Sequence, residues 1–123
     1  MTCEVVVTRS GAPAMLDRTT GEVMHPVIGP LVESEVLYVT PSRLAARLSV
    51  THTSPLTLFD VGLGAGSNAA LAWRTSERRA ESNGRRLSIV SFESSLSAFE
   101  LALQEEHCVG LKQLGEDPWV AIK

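Results

Sequence analysis

The sequence predicts an α/β fold: part of a doubly wound parallel sheet, preceded by an N-terminal β-hairpin and a helical leader. Three observations predict it. The run Leu56–Val61 is short and apolar, like a buried parallel strand, and Gly62, Gly64 and Gly66 follow it at a spacing of two. A second apolar run, starting at Leu87, ends in an acid, Glu93. Between them Ser67–Glu81 reads as a helix closed by Ser82-Asn83-Gly84, because Asn-Gly supplies positive φ angles. Strand, glycine turn, helix and a second strand tipped by an acid make the nucleotide-binding corner of an open α/β sheet.

The remaining elements follow in chain order. Glu4–Arg9 and Ala14–Asp17 read as strands joined by the turn Ser10–Pro13, and Thr19-Thr20-Gly21 is a second turn. Leu31–Val39 has a helix-compatible pattern, and Pro41-Ser42 sets up a further helix over Arg43–Leu48. Ser67 and Asn68 are candidate caps for the helix after the glycine turn. Beyond Glu93, Ser95–His107 reads as a helix with Leu96, Phe99, Ala102 and Leu103 on one face. A short helix over Val109–Leu114 and the start of a strand over Trp119–Ile122 complete the reading.

The glycine turn discriminates between ligands. A dinucleotide fingerprint needs glycine or alanine three positions after its second glycine, and here that position is Ser67. Asp60, two residues before the first glycine, would repel a pyrophosphate. A P-loop is excluded, since no Gly-Lys-Ser/Thr follows. The turn suits a ligand with a cationic end and no phosphate, such as S-adenosylmethionine. Glu93, at the tip of the second strand, is placed to accept hydrogen bonds from ribose hydroxyls. Plainer readings stand beside these: the glycines as a tight turn only, Asp60 as a cap on the loop, Glu93 as a solvated residue at a helix start.

Composition sets further bounds. At 123 residues the chain is one domain at most, and 44% hydrophobic content is enough for a core. A net charge of −3 argues against a protein generally coated by nucleic acid. Cys3 and Cys108 are distant in sequence and have no metal-ligand spacing, so both are expected as reduced thiols in a cytoplasmic protein. No stretch has membrane-spanning length and no signal peptide is visible, so neither membrane nor metal is expected.

The order of motifs resembles the methyltransferase domain of the MnmC-type tRNA-modifying enzymes. The residues that carry the resemblance are Gly21-Glu22-Val23-Met24-His25-Pro26, then Gly29–Ser34, Tyr38-Val39, Asp60–Asn68 and Ser91-Phe92-Glu93. It spans roughly residues 4–100 and covers about the first half of such a domain. Met24 and Pro26 replace the family's usual Tyr and Ser, Ala65 its Thr, and Asp60 its Glu. The resemblance implies a Rossmann-like S-adenosylmethionine-dependent methyltransferase acting on an aminomethyl group of wobble uridine in tRNA. It implies Asp60, Gly62, Gly64, Gly66, Asn68 and Glu93 as cofactor-binding residues. Residues 1–55 are then a hairpin and helical leader, and 56–123 the first β-α-β-α part of the cofactor-binding domain. The family's catalytic Asp-x-Phe-x-Pro-like motif is absent, so no catalytic residue is assigned and the isolated chain is expected to be an inactive, incomplete enzyme.

Several residues keep two readings. His25 is a substrate or cofactor contact, or a structural histidine. Glu33 holds the leader against the glycine loop, or is a solvated helix residue. Arg74, Arg78, Arg79, Arg85 and Arg86 are RNA-phosphate contacts, or the solvated far end of a helix. For the whole chain the alternative to an enzyme is a non-catalytic module that binds a nucleoside or a protein, and a dinucleotide oxidoreductase fragment is a third class. An unpaired edge at Leu56–Val61 is expected to favour self-association.

Overall fold

The computed structural model of the chain describes residues 2–11, 13–24, 30–80 and 84–104. His25, the segment 105–123 and the elements expected there lie outside the described residues. The fold is mixed α/β, a partial Rossmann-like domain, with two sheets among the described residues.

Strands β1 (Cys3–Val7), β2 (Pro13–Asp17) and β3 (Glu22–Val23) form an antiparallel sheet in that order. The hairpin pairs Cys3 with Asp17 and Val7 with Pro13. Strand β1 lies slightly earlier than the sequence suggests, because Thr8 already belongs to the turn: its carbonyl accepts the Gly11 N–H at 2.9 Å. β3 is an addition to the expected hairpin. The Asp17 carboxylate accepts the Thr19 N–H at 2.8 Å, and its carbonyl accepts the Gly21 N–H at 2.7 Å. That tight turn lets Val23 pair with Leu16.

The expected helix over Leu31–Val39 is divided. Helix α1 (Pro30–Ser34) passes into a π-helical turn over Glu35–Val39, where the Thr40 N–H reaches back five residues to the Glu35 carbonyl at 2.9 Å. The wide turn changes which side chains face inward. Pro30, Ser34 and Val39 are buried at spacings of four and then five, while Val36, Leu37 and Tyr38 are exposed. Arg43 then takes a left-handed conformation (φ 56°, ψ 33°) and starts α2 (Leu44–Leu48).

The second sheet holds β4 (Leu56–Val61) and β5 (Leu87–Phe92), parallel and in register from Leu56 opposite Leu87 to Val61 opposite Phe92. Parallel neighbours require a crossover, and α3 (Ser67–Ala80) supplies it. Alternation along the strands sends Leu56, Leu58, Leu87 and Ile89 into a core with Val39, Leu44, Leu48 and Ala72. Leader and β-α-β unit therefore share one core. On the opposite face Phe59 and Val61 are 67% and 82% exposed, and the Phe59 and Phe92 rings meet at 5.9 Å. Among the described residues β4 pairs only with β5. At the other end of the strands Arg85 acts as a clasp. Its Nε donates to the Ser54 carbonyl at 2.9 Å and its backbone N–H to the Leu48 carbonyl at 2.8 Å.

Helix α4 (Ser97–Leu103) packs on β1 with part of the expected face, Ala102 and the half-buried Phe99. Ala98 and Ala102 are fully buried, whereas Leu96 and Leu103 are exposed. Two alanines one turn apart let the helix approach closely, so that Ala102 and Leu101 join Met15, Val5, Met24 and Ala65 in a second cluster.

Leu48 is fully buried where leader and sheet meet. Leu48→Ala is expected to cost about 2–5 kcal/mol in urea unfolding, against about 0.5 kcal/mol or less for the exposed Val50→Ala. Similar losses in the two variants would mean that the shared core is not formed.

Candidate functional site

The glycine turn leaves the tip of β4 with three positive φ angles, 82° at Gly62, 53° at Gly64 and 85° at Gly66. Residues with a side chain rarely adopt such a succession, which accounts for the spacing of two. The ladder runs one bond beyond β4, since the Gly62 N–H donates to the Phe92 carbonyl at 2.9 Å. The Gly66 carbonyl accepts the first bond of α3, from Ala70 N–H at 2.9 Å. Gly66 thus stands at the cap position, and Ser67 and Asn68 lie inside the first turn. The expected capping by those two side chains does not occur. Asn68 instead bonds Ser34, and Ser67 Oγ is buried with no hydrogen-bond partner among the described residues.

Glu93 sits one residue past β5 and reaches the turn. Its Oε2 accepts the Gly64 N–H at 2.9 Å. Its Oε1 accepts the N–H groups of Ser94 (2.7 Å) and Ser95 (3.2 Å). These amide donors, Gly64 first, hold the carboxyl below its ordinary value of 4.5. A carboxylate has about four lone-pair sites, so one remains open on Oε2. Oε1 also takes the Ser94 hydroxyl at 3.3 Å, so acceptance of two ribose hydroxyls needs Gly64, Ser94 or Ser95 to release a bond.

Asp60 points into the interior from the same face as Leu56 and Leu58 and is buried. Its cross-strand neighbour Ser91 donates Oγ–H to Oδ2 at 2.9 Å. Burial raises the Asp60 carboxyl above its ordinary 3.8, the Ser91 bond opposes this, and the Glu93 charge adds to the rise. Asp60 and Asn68 line a cleft of about 570 Å³ between the strand tips and the π-helical turn, with Tyr38, Pro41 and Ser42 on the opposite wall.

The leader covers the other side of the turn. A Cβ at Gly64 would meet Met24 Sδ at 3.6 Å, and one at Gly66 would meet the Phe99 ring of α4 at 2.9 Å. At Gly62 a Cβ would meet nothing within 4 Å, so the open wall of the turn is there. Glu33 is half-buried on α1. Its neighbour Ser34 joins α1 to α3: the Ser34 hydroxyl donates to the Pro30 carbonyl at 2.7 Å and also lies against Asn68 Oδ1. Met24, Ser34 and Ser91 lie within the motifs that carry the resemblance and Phe99 on an apolar helix face, but nothing in the sequence assigns them these contacts. Among the described residues no group of three His, Cys, Asp or Glu side chains could hold a metal, and no helix is long and apolar enough to cross a membrane.

Parallel strands, a glycine turn opening a helix, and acids at both strand tips define a partial Rossmann-like α/β domain. The chain is similar to MnmC2 from Aquifex aeolicus: the crystal structure of that protein matches 76% of this chain with a TM-score of 0.64 and 28% sequence identity. The fold is thus MnmC-like, and the chain spans 30% of that structure's length. No family model matches the chain, and no curated protein matches it significantly.

Two stability measurements check this geometry. Gly62→Ala adds only backbone strain, about 1–2 kcal/mol, whereas Gly66→Ala also drives a methyl into Phe99 and costs a further 1–3 kcal/mol or so. Equal losses would mean that Phe99 does not close on the turn. Asp60→Asn is expected to stabilise the ligand-free protein at pH 7. A carboxyl whose folded value is raised contributes stability that is lost as pH rises through that value. The advantage of the variant should disappear as pH falls below 3.8, the ordinary value of the carboxyl. A variant less stable than the parent at pH 7 would contradict the burial of the charge.

Proposed function

We propose that this chain is part of an S-adenosylmethionine-dependent methyltransferase acting on an aminomethyl group of wobble uridine in tRNA. The observation that carries the reading is the Glu93 carboxylate bonded to the glycine turn, beside the buried Asp60. The residues fit the donor. Ser67 Oγ lacks a partner at the first turn of α3, the space at Gly62 is open, and Glu93 keeps a free lone-pair site. The resemblance of motifs and the similarity to MnmC2 point the same way.

Bound S-adenosylmethionine would supply an activated methyl group. In this reading Glu93 Oε2 accepts a ribose hydroxyl, and the turn presents backbone rather than side chains to the ligand. Asp60 attracts the ammonium from the wall of its cleft, and Asn68 orients polar groups there. Holding an amine in line with the methyl group accounts for most of the rate in such a transfer. None of the described residues is assigned as the base. The reading carries a cytoplasmic location, with tRNA as partner. It also admits a second copy of the chain across the free edge of β4.

A non-catalytic protein-interaction module is the second reading, and one observation favours it: Glu93 Oε1 is already filled by Ser94 and Ser95, so the carboxylate serves the turn itself. Calorimetry with S-adenosylmethionine separates the two, since only the first reading expects this chain to bind the donor.

Calorimetry tests donor binding. S-adenosylhomocysteine is expected to bind more tightly than NAD. Glu93→Ala should lower the affinity about 10- to 100-fold, the loss of an acceptor worth about 1.5–3 kcal/mol, and Glu100→Ala on the exposed side of α4 should leave it unchanged. Tighter NAD binding, or equal effects of the two alanines, would remove the assignment.

A further inference from the structure

A second cleft, of about 720 Å³, lies on the other side of α2 from the Asp60 cleft, and the two share Val39 and Leu44 as a common wall. Its rim carries Arg43, Arg74 and Arg78. Arg74 and Arg78 are four residues apart on α3, hence on one face and about 6 Å apart along the axis. Arg43 comes from a different segment, the bend before α2. Among the described residues none of the three has an ion-pair partner, whereas Arg18 is paired with Glu4. The single carboxylate of the cleft, Glu35, accepts the Thr40 hydroxyl at 2.8 Å.

Two further facts show that this is more than a solvated helix end. The helix dipole favours a cation such as Arg78 near the C-terminus of α3, but gives no reason for Arg43. Arg43 also holds a left-handed backbone (φ 56°), which costs about 1–2 kcal/mol for a residue with a side chain and which glycine would adopt freely. Strain of that kind at a cleft points to a use for the side chain.

We propose that the Arg43–Arg74–Arg78 cleft docks the phosphodiester backbone of RNA. The choice of RNA rests on the reading above, while the anionic character of the ligand rests on the cleft alone. Guanidinium forks suit phosphate oxygens, and cations in a row along a helix match a repeating charge better than a single anion. The floor is Val39, Leu44, Ala45, Ala46 and Leu71, and no aromatic ring lines the cleft. It has no platform for stacked bases, so it recognises charge and not sequence. Arg74 and Arg78 stand about 10 and 16 Å along α3 from its first residue, Ser67. A strand held there runs beside the cleft that Asp60 and Asn68 line. Of the arginine run that follows the glycine turn, Arg85 is excluded from this role, because it clasps Ser54 and Pro55.

The test is fluorescence anisotropy with a labelled, unmodified tRNA transcript and the full chain, from 50 to 200 mM salt. Arg74→Gln/Arg78→Gln should weaken binding at least tenfold at the lowest salt. It should also reduce the slope of log affinity against log salt by about 1.4, two phosphate contacts at about 0.7 each for a single strand. Arg43→Gln should reduce the slope by about half as much. Arg9→Gln/Arg86→Gln removes the same charge elsewhere and should leave the slope unchanged. Circular dichroism and S-adenosylhomocysteine calorimetry on each variant separate misfolding and donor binding from RNA binding. Arginine-dependent RNA binding without donor binding would support the cleft and sink the methyltransferase reading. Donor binding with RNA affinity that is absent, or indifferent to these arginines, would overturn the cleft alone. Arginine-dependent capture of the chain by phosphatidylserine vesicles with no RNA binding would also overturn it.

Discussion

The bond from Gly64 N–H to Glu93 Oε2 joins the tips of β4 and β5 after their ladder has ended. The shape of the corner depends on it. Three glycines with positive φ have little conformational preference of their own, and a carboxylate with three amide donors gives the turn a fixed point. The same amides keep Glu93 charged, and that charge, added to burial, pushes Asp60 toward neutrality. Two carboxylates on adjacent strand tips are thereby set apart in acidity, as occurs where acids have different roles.

The leader is an integral part of this corner. Met24 at the end of the hairpin sheet backs Gly64, Ser34 of α1 holds Asn68, and the π-helical turn places Tyr38 on the cleft wall and Val39 in the core. Removing the leader would uncover Leu56, Leu58 and Ala72, which pack on its side chains. Both clefts would lose a wall with it, since Val39 and Leu44 line each of them.

Much of this architecture is legible in the amino-acid sequence. β4 coincides with the apolar run Leu56–Val61, because the positive φ at Gly62 turns the chain away, and α3 starts where the glycines end. The tips of the two strands carry the acids expected there. What is not legible depends on tertiary contact. The π-helical turn inserts one residue into a pattern that looks helical throughout, and only the core decides that Val39 faces inward. The buried face of α4 takes in Ala98 beside the expected Ala102, because the hairpin comes close, whereas hydrophobicity alone also selects Leu96 and Leu103. Ser67 and Asn68 resemble caps in sequence, but Gly66 occupies the cap position. The basic cleft joins residues some thirty positions apart, so the arginine run shows two of its members and conceals Arg43.

The crossover also acts as a ruler. Helix α3 has 14 residues, about 21 Å at 1.5 Å each, and β4 has six, about 20 Å at 3.3 Å each. The chain climbs one strand and descends by an almost equal length of helix, so it returns level with the foot of the sheet. There the Leu56 N–H meets the Arg86 carbonyl at 2.7 Å. The register of a parallel ladder has no hairpin to set it, and here a matched pair of lengths does so. One extra turn in α3 would carry the chain about 5 Å past the foot, between one and two strand residues, and the segment before β5 would have to absorb it to keep Leu87 and Ile89 inward. Length in this segment is therefore less tolerant of change than sequence.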